Sequence, residues 1–128
     1  MNLRNRKIVR TVQIIFGLYL IFTVISAFIQ LLPVPQFNEA AMAFLGALFA
    51  TGYMVPLMQI IFMITGLMFI FNKWSAFGAV LLAPITVNIV LFHVFLDFLG
   101  WWIALIFAIL HIYLLAVHWP RYKGMFEK

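Results

Sequence analysis

Four apolar stretches, each long enough to cross a bilayer, constrain this chain more than any other feature. A spanning helix needs about 20 mostly apolar residues, in a range of roughly 17–25. Residues 8–32, 54–71, 76–95 and 101–118 meet that need with little charge inside them. The composition closes off a soluble alternative. Of the 128 residues, 67% are hydrophobic and 9% charged, where ordinary globular domains run about 45–50% apolar and about 25% charged. A chain this short also leaves about a third or more of its unfolded surface exposed after folding, so it cannot hide that much apolar area from water. Lipid is the solvent these numbers demand, and they exclude disorder.

Local chemistry sets the expected span ends. The first stretch follows a basic head of Arg4, Arg6, Lys7 and Arg10 and is stopped by Pro33 and Pro35. Its apolar run exceeds the about 7–15 residues of a cleavable signal, and no small-residue cleavage site follows, so it reads as a signal-anchor helix. Pro56 falls in the first turn of the second stretch, where a missing N–H is tolerated. Ser75 is expected to cap the third stretch. Pro84 interrupts it, Asp97 and Gly100 make the following turn, and Pro120 ends the fourth.

Residues 38–50 fit neither a loop nor a span. Asn38 and Glu39 look like a helix start, Ala43, Gly46, Ala47 and Ala50 recur at helical spacing, and Gly52 breaks the run. About eleven helical residues reach only about 17 Å, too short for a hydrocarbon core of about 30 Å. This segment is expected to lie at the interface or to dip in against the bundle as a re-entrant helix. The alternative is that it lengthens the second span into a kinked helix.

Orientation follows from the eight Lys and Arg residues, all of which fall on the side of the two termini and the 72–75 turn. Glu39 and Asp97 fall on the other side. Positive charge is retained in the cytoplasm, so both termini are expected there. The predicted fold is all-α: an integral membrane antiparallel four-helix bundle, one domain over 1–128, with the short helix inserted between the first and second spans. Ser75, Ala79 and Ala83 on one face of the third helix, and Gly66 in the second, are the expected close helix contacts.

Several chemistries drop out. With no Cys there is no disulfide, thiolate zinc site, iron–sulfur ligand or dithiol relay. The positive charge sits at chain ends and in one turn, which is topology and not a nucleic-acid footprint. Phosphate loops, a nucleophile elbow and paired carboxylates are missing from the sequence. A metal site is not expected, because His93 and His111 lack neighbouring ligands at metal-binding spacing. Trp74, Trp101, Trp102, Trp119 and Tyr122 fall at span ends, as an interfacial aromatic belt does.

Ionisable groups within spans are costly and therefore candidates for function. His93 and His111 qualify, with Asp97 and His118 at the edges, and Gln13, Ser26, Gln30, Gln59, Thr65, Thr86 and Asn88 add uncharged hydrogen bonders. By helix rise, Ser26, Gln30, Gln59, His93 and Asp97 fall in the outer third, and Asn88 and His111 nearer the midplane. The inner half is expected to be nearly all apolar, with a cleft opening outward beneath the short helix. Thr86, His93 and Asp97 share a face, so His93 and Asp97 form either a structural pair, with Asp97 also capping the fourth helix, or a tuned imidazole. Asn88 is either interhelical glue or a ligand contact. His111 is open between ligand contact, proton relay and helix–helix hydrogen bond, with Gln59, Thr65 or Asn88 as partners.

The chain resembles the DoxX-like family of small four-helix bacterial inner-membrane proteins. The likeness is carried by Pro33-Val34-Pro35, by Phe44 to Pro56 (FLGALFATGYMVP), by Ala83 to Asp97 (APITVNIVLFHVFLD) with its Pro84, Asn88, His93 and Asp97, and by Arg121-Tyr122. Where the family carries a Gly-x-x-Lys element late in helix one, this chain has Val24 to Ala27. Phe62 stands in place of a helix-two Glu, so both halves of an intramembrane charge pair are missing together. The resemblance implies an accessory subunit of a membrane redox complex or a binder of a small apolar, quinone-like ligand. Asn88, His93, His111 and Gln59 are then the candidate ligand contacts. A non-catalytic membrane chaperone or assembly partner is the alternative, working with a membrane-protein partner or as a homo-oligomer. A small-solute transporter ranks third, since four helices form a pathway only by oligomerising.

Overall fold

The computed structural model describes residues 4–31 and 36–127. Six α-helices follow one another: α1 (Arg6–Ile29), α2 (Glu39–Ala50), α3 (Met54–Phe71), α4 (Ser75–Phe95), α5 (Trp101–Val117) and α6 (Trp119–Tyr122). Single 3-10 turns occupy Phe98–Gly100 and Lys123–Phe126. Four candidate spans, Arg6–Ile29, Met54–Phe71, Ser75–Phe95 and Phe98–Val117, are long and apolar enough to cross a membrane.

Capping chemistry places the helix ends. Asn5 opens α1 by accepting the Lys7 N–H at 2.8 Å. The helix closes at Ile29 with Gln30 in the left-handed region at φ 52, which is earlier than the expected end at residue 32. Pro33 and Pro35 lie outside the described residues. Asn38 opens α2 by accepting the Ala41 N–H at 2.9 Å, with Glu39 in the favourable first turn. Gly52 at φ 78 and the Thr51 hydroxyl, which accepts the Met54 N–H at 3.1 Å, separate α2 from α3. The 12 residues of α2 rise only about 18 Å, and no continuous kinked helix forms.

One expectation at a helix end is corrected. Ser75 is the first helical residue of α4 and not its cap; Trp74 takes the cap position in the left-handed region at φ 55. The Ser75 hydroxyl instead turns back to the Met68 carbonyl at 3.3 Å. The fourth span ends at Val117, one residue before the expected end, and Pro120 follows in the opening turn of the separate α6, where proline's fixed φ suits a helix start.

The bundle is antiparallel, ordered α1–α3–α4–α5 in space, with α5 returning to meet α1 along the least extensive seam. Gly17 and Gly66 let α1 and α3 approach at backbone distance: a Cβ added at Gly17 stands 2.7 Å from the Gly66 carbonyl oxygen. The core gathers Phe16, Leu20, Phe69, Leu82, Phe107 and Leu114, with Phe16 stacked on Phe69 at 5.7 Å and edge-on to Phe107 at 4.9 Å. Ser75 and Ala79 are buried. At the far end, α2 packs on α3 and on the end of α4, where Phe44 and Phe37 flank Phe92 and the Asn38 amide donates to the Leu96 carbonyl. One end of the bundle therefore carries both described termini and the α3–α4 turn, and the other carries α2 and the α4–α5 turn.

Candidate functional site

Pro84, Asn88 and His93 belong to one helix, yet the fold sends the sequence candidates to different places. His111 is 2% exposed and lies among core rings, 6.3 Å from Phe16. Its Nε2 is 2.7 Å from the Ala79 carbonyl. A carbonyl only accepts, so Nε2 carries the hydrogen and α5 is pinned to α4. None of Gln59, Thr65 and Asn88 is that partner.

His93 and Asp97 do pair. The His93 Nδ1 stands 3.4 Å from the Asp97 carboxylate and 3.2 Å from its backbone carbonyl. The pair sits against Gly100, where an added Cβ would meet both side chains at 2.8 Å. Asp97 makes no capping hydrogen bond, so the pair seals the α4–α5 turn through His93. The outer face of His93 borders a narrow groove of about 240 Å³ with Val90, Phe98, Trp101 and Ala104.

Gln59 faces a different space, a groove of about 450 Å³ bounded by Val24 and Phe28 of α1, Phe49 of α2 and Val55 of α3. It is the cleft expected beneath the short helix, but its walls are apolar. The Gln59 Oε1 is buried with no hydrogen-bond partner among the described residues, as are the hydroxyls of Ser26, Thr65 and Thr86. Asn88 is exposed on the outer surface of α4. The four candidate ligand contacts thus do not converge on one pocket.

The satisfied polar network lies at the opposite, basic end, which corrects the expectation of an apolar inner half. Arg10 donates to the Phe69 carbonyl at 2.8 Å and to the Ile70 carbonyl, closing the end of α3. Gln13, 1% exposed, donates to the Asn72 side-chain oxygen at 2.9 Å. The Gln13 oxygen accepts from His118 Nε2 at 3.2 Å, and the Tyr122 hydroxyl donates to the Ala76 carbonyl at 2.5 Å. Burial, and then the Arg121 charge, push the His118 pKa below its ordinary value. Burial pushes the Tyr122 hydroxyl up to about 12, with Arg121 opposing. Above this network opens a cleft of about 780 Å³ lined by Arg4, Arg6, Lys7, Arg10 and Arg121. A polar residue in the second turn of a basic-headed span was the available signal; its partners, at positions 72 and 118, had none.

Chemically, these groups hold helices together and present charge. Among the described residues no three His, Cys, Asp or Glu side chains gather into a metal-holding group. What the fold and these sites define is a multi-pass helical membrane protein with four candidate spans and an added short helix. Comparison with known proteins finds no match to the chain among protein-family profiles, curated proteins or solved structures.

Proposed function

We propose that the protein is a DoxX-like accessory subunit of a membrane complex, without catalysis of its own, in the bacterial inner membrane with both termini cytoplasmic. The observation that carries this reading is Asn88. It stands exposed on α4, and its amide makes no hydrogen bond with a described residue. It lies about 10 Å of helix rise from the α2 end, inside hydrocarbon depth. One turn earlier Pro84, also exposed, removes the N–H that the Val80 carbonyl would accept. Lipid tails offer nothing to an amide or a freed carbonyl. A polar side chain on a partner helix does, with interhelical hydrogen bonds worth about 0.6 and up to about 1.7 kcal/mol. The commitment of His111 to Ala79 and of His93 to Asp97 supports a non-catalytic role. The redox setting of the complex rests on the family resemblance of residues 83–97.

A photoreactive side chain placed at exposed Leu91, one turn from Asn88, in native membranes tests this, with exposed Leu18 on α1 as control. A single partner protein is expected at 91 and not at 18, and adding Asn88→Leu should reduce its recovery about 3- to 20-fold. An adduct with a second copy assigns the face to a homo-oligomer instead, and no adduct overturns the reading.

A second reading has its own support. The Gln59 groove, at about 450 Å³, falls within the roughly 300–1,000 Å³ of small-molecule sites, and the Gln59 amide oxygen has no hydrogen-bond partner among the described residues. A quinone-like molecule would accept from the Gln59 NH₂ at its carbonyl, and its quinol form would donate a hydroxyl to the Gln59 oxygen. Saturable binding of a short-chain quinone that Gln59→Leu weakens is expected; an unsaturable response rejects it.

A further inference from the structure

Among the described residues the cleft at the basic end is lined by no carboxylate, and Arg6, Lys7 and Arg121 make no ion pair with a described residue. Its floor is already satisfied, because the amide of Gln13 is taken up by Asn72 and His118. The positive charge above that floor therefore remains available to a ligand.

The cleft also has an apolar neighbour. A groove of about 670 Å³ runs from Arg4 along Ile112, Leu115, Ala116 and Trp119, with Phe126 stacked on Trp119 at 5.7 Å. Arg4 lines both spaces. Ile112 lies about 8 Å of helix rise inside the end of α5, so the groove descends from headgroup depth to acyl-chain depth. A phosphate ester is the ligand chemistry that matches the cleft, because guanidinium groups hold phosphate oxygens in paired hydrogen bonds. A soluble phosphate ester has nothing to place in the groove, whereas a phospholipid supplies both parts.

We propose that this paired cleft and groove hold one anionic phospholipid, with its phosphodiester among Lys7, Arg6 and Arg121 and one acyl chain against Leu115, Ala116 and Trp119. Basic pockets between helices at the cytoplasmic side of a bilayer recognise anionic headgroups in this way.

The test is native mass spectrometry of the full-length protein released from micelles containing phosphatidylglycerol or phosphatidylcholine. Phosphatidylglycerol is expected to stay bound and phosphatidylcholine to be lost. Lys7→Gln with Arg121→Gln should weaken retention roughly 25-fold, about fivefold for each charge removed. Lys123→Gln, outside the cleft, should leave it unchanged. Ala116→Trp fills the groove from an exposed position without altering charge, and should also reduce retention. Equal loss with Lys123→Gln would mean diffuse attraction and overturn the site. Displacement of the lipid by millimolar glycerol phosphate would assign the cleft to a soluble phosphate ester and overturn the lipid assignment.

Discussion

His111 in α5 and His118 just past its end are seven residues apart, and they differ in what surrounds them. His111 meets the Ala79 carbonyl inside the core, so His111→Leu keeps the volume and loses one interhelical hydrogen bond. Unfolding in mixed micelles should show a loss of about 0.6–1.7 kcal/mol with the bundle intact. His118 meets Gln13 at the basic end, and burial together with Arg121 favours its neutral form in the folded state. A base whose folded pKa is depressed contributes stability that is present above its unfolded pKa of about 6.5 and is lost as pH falls through the folded value. The thermal midpoint should therefore drop between pH 7.5 and 5, and drop less in His118→Gln, whose amide keeps a donor for Gln13. Helical periodicity placed both histidines on a span. It could not show that the partner of one is a backbone carbonyl, because any residue type supplies one.

Among the elements, the α1–α3 pair is the most dependent on particular residues. Gly17 faces the Gly66 carbonyl so closely that a Cβ would stand 2.7 Å from it, and backbone oxygen has nowhere to go. Gly17→Val should push the helices apart and cost about 1–3 kcal/mol, read as earlier unfolding in a denaturing-detergent titration. Gly46→Ala on α2, with no described residue within 4 Å of the added carbon, should leave that titration unchanged or shift it later. Gly66 was recognisable as a contact from sequence because it interrupts a run of large side chains. Gly17 was not, since only the antiparallel register of α1 on α3 makes the two glycines meet. The break between α2 and α3 was legible for a local reason: Asn38, Glu39 and Gly52 act within a turn of themselves. Ser75 misled because the α3–α4 turn uses Asn72 and Trp74 in left-handed conformations, leaving the serine free to bond backward to Met68.

At the scale of the whole molecule, positive charge separates the two ends. Arg4, Arg6, Lys7, Arg10, Lys73, Arg121 and Lys123 gather at one, together with Glu127, and Glu39 and Asp97 lie at the other. If the basic end faces the cytoplasm, a cysteine introduced at Asn38 should react with an impermeant reagent in intact cells, and one at Lys73 only after the membrane is opened. The reverse pattern rejects the proposed orientation. By itself the sequence determined the all-helical class, the four candidate spans, the short fifth helix and the sorting of charge. Each of these depends on apolar run length or on capping within a few residues, and so can be read along one strand of sequence. Tertiary structure alone decided which polar groups meet. It took His111 to Ala79, joined Gln13 to positions 72 and 118, left Asn88 exposed and scattered the expected ligand contacts over separate grooves. Those pairings depend on how far one helix slides and turns against the next, and an almost uniformly apolar helix surface carries little record of either.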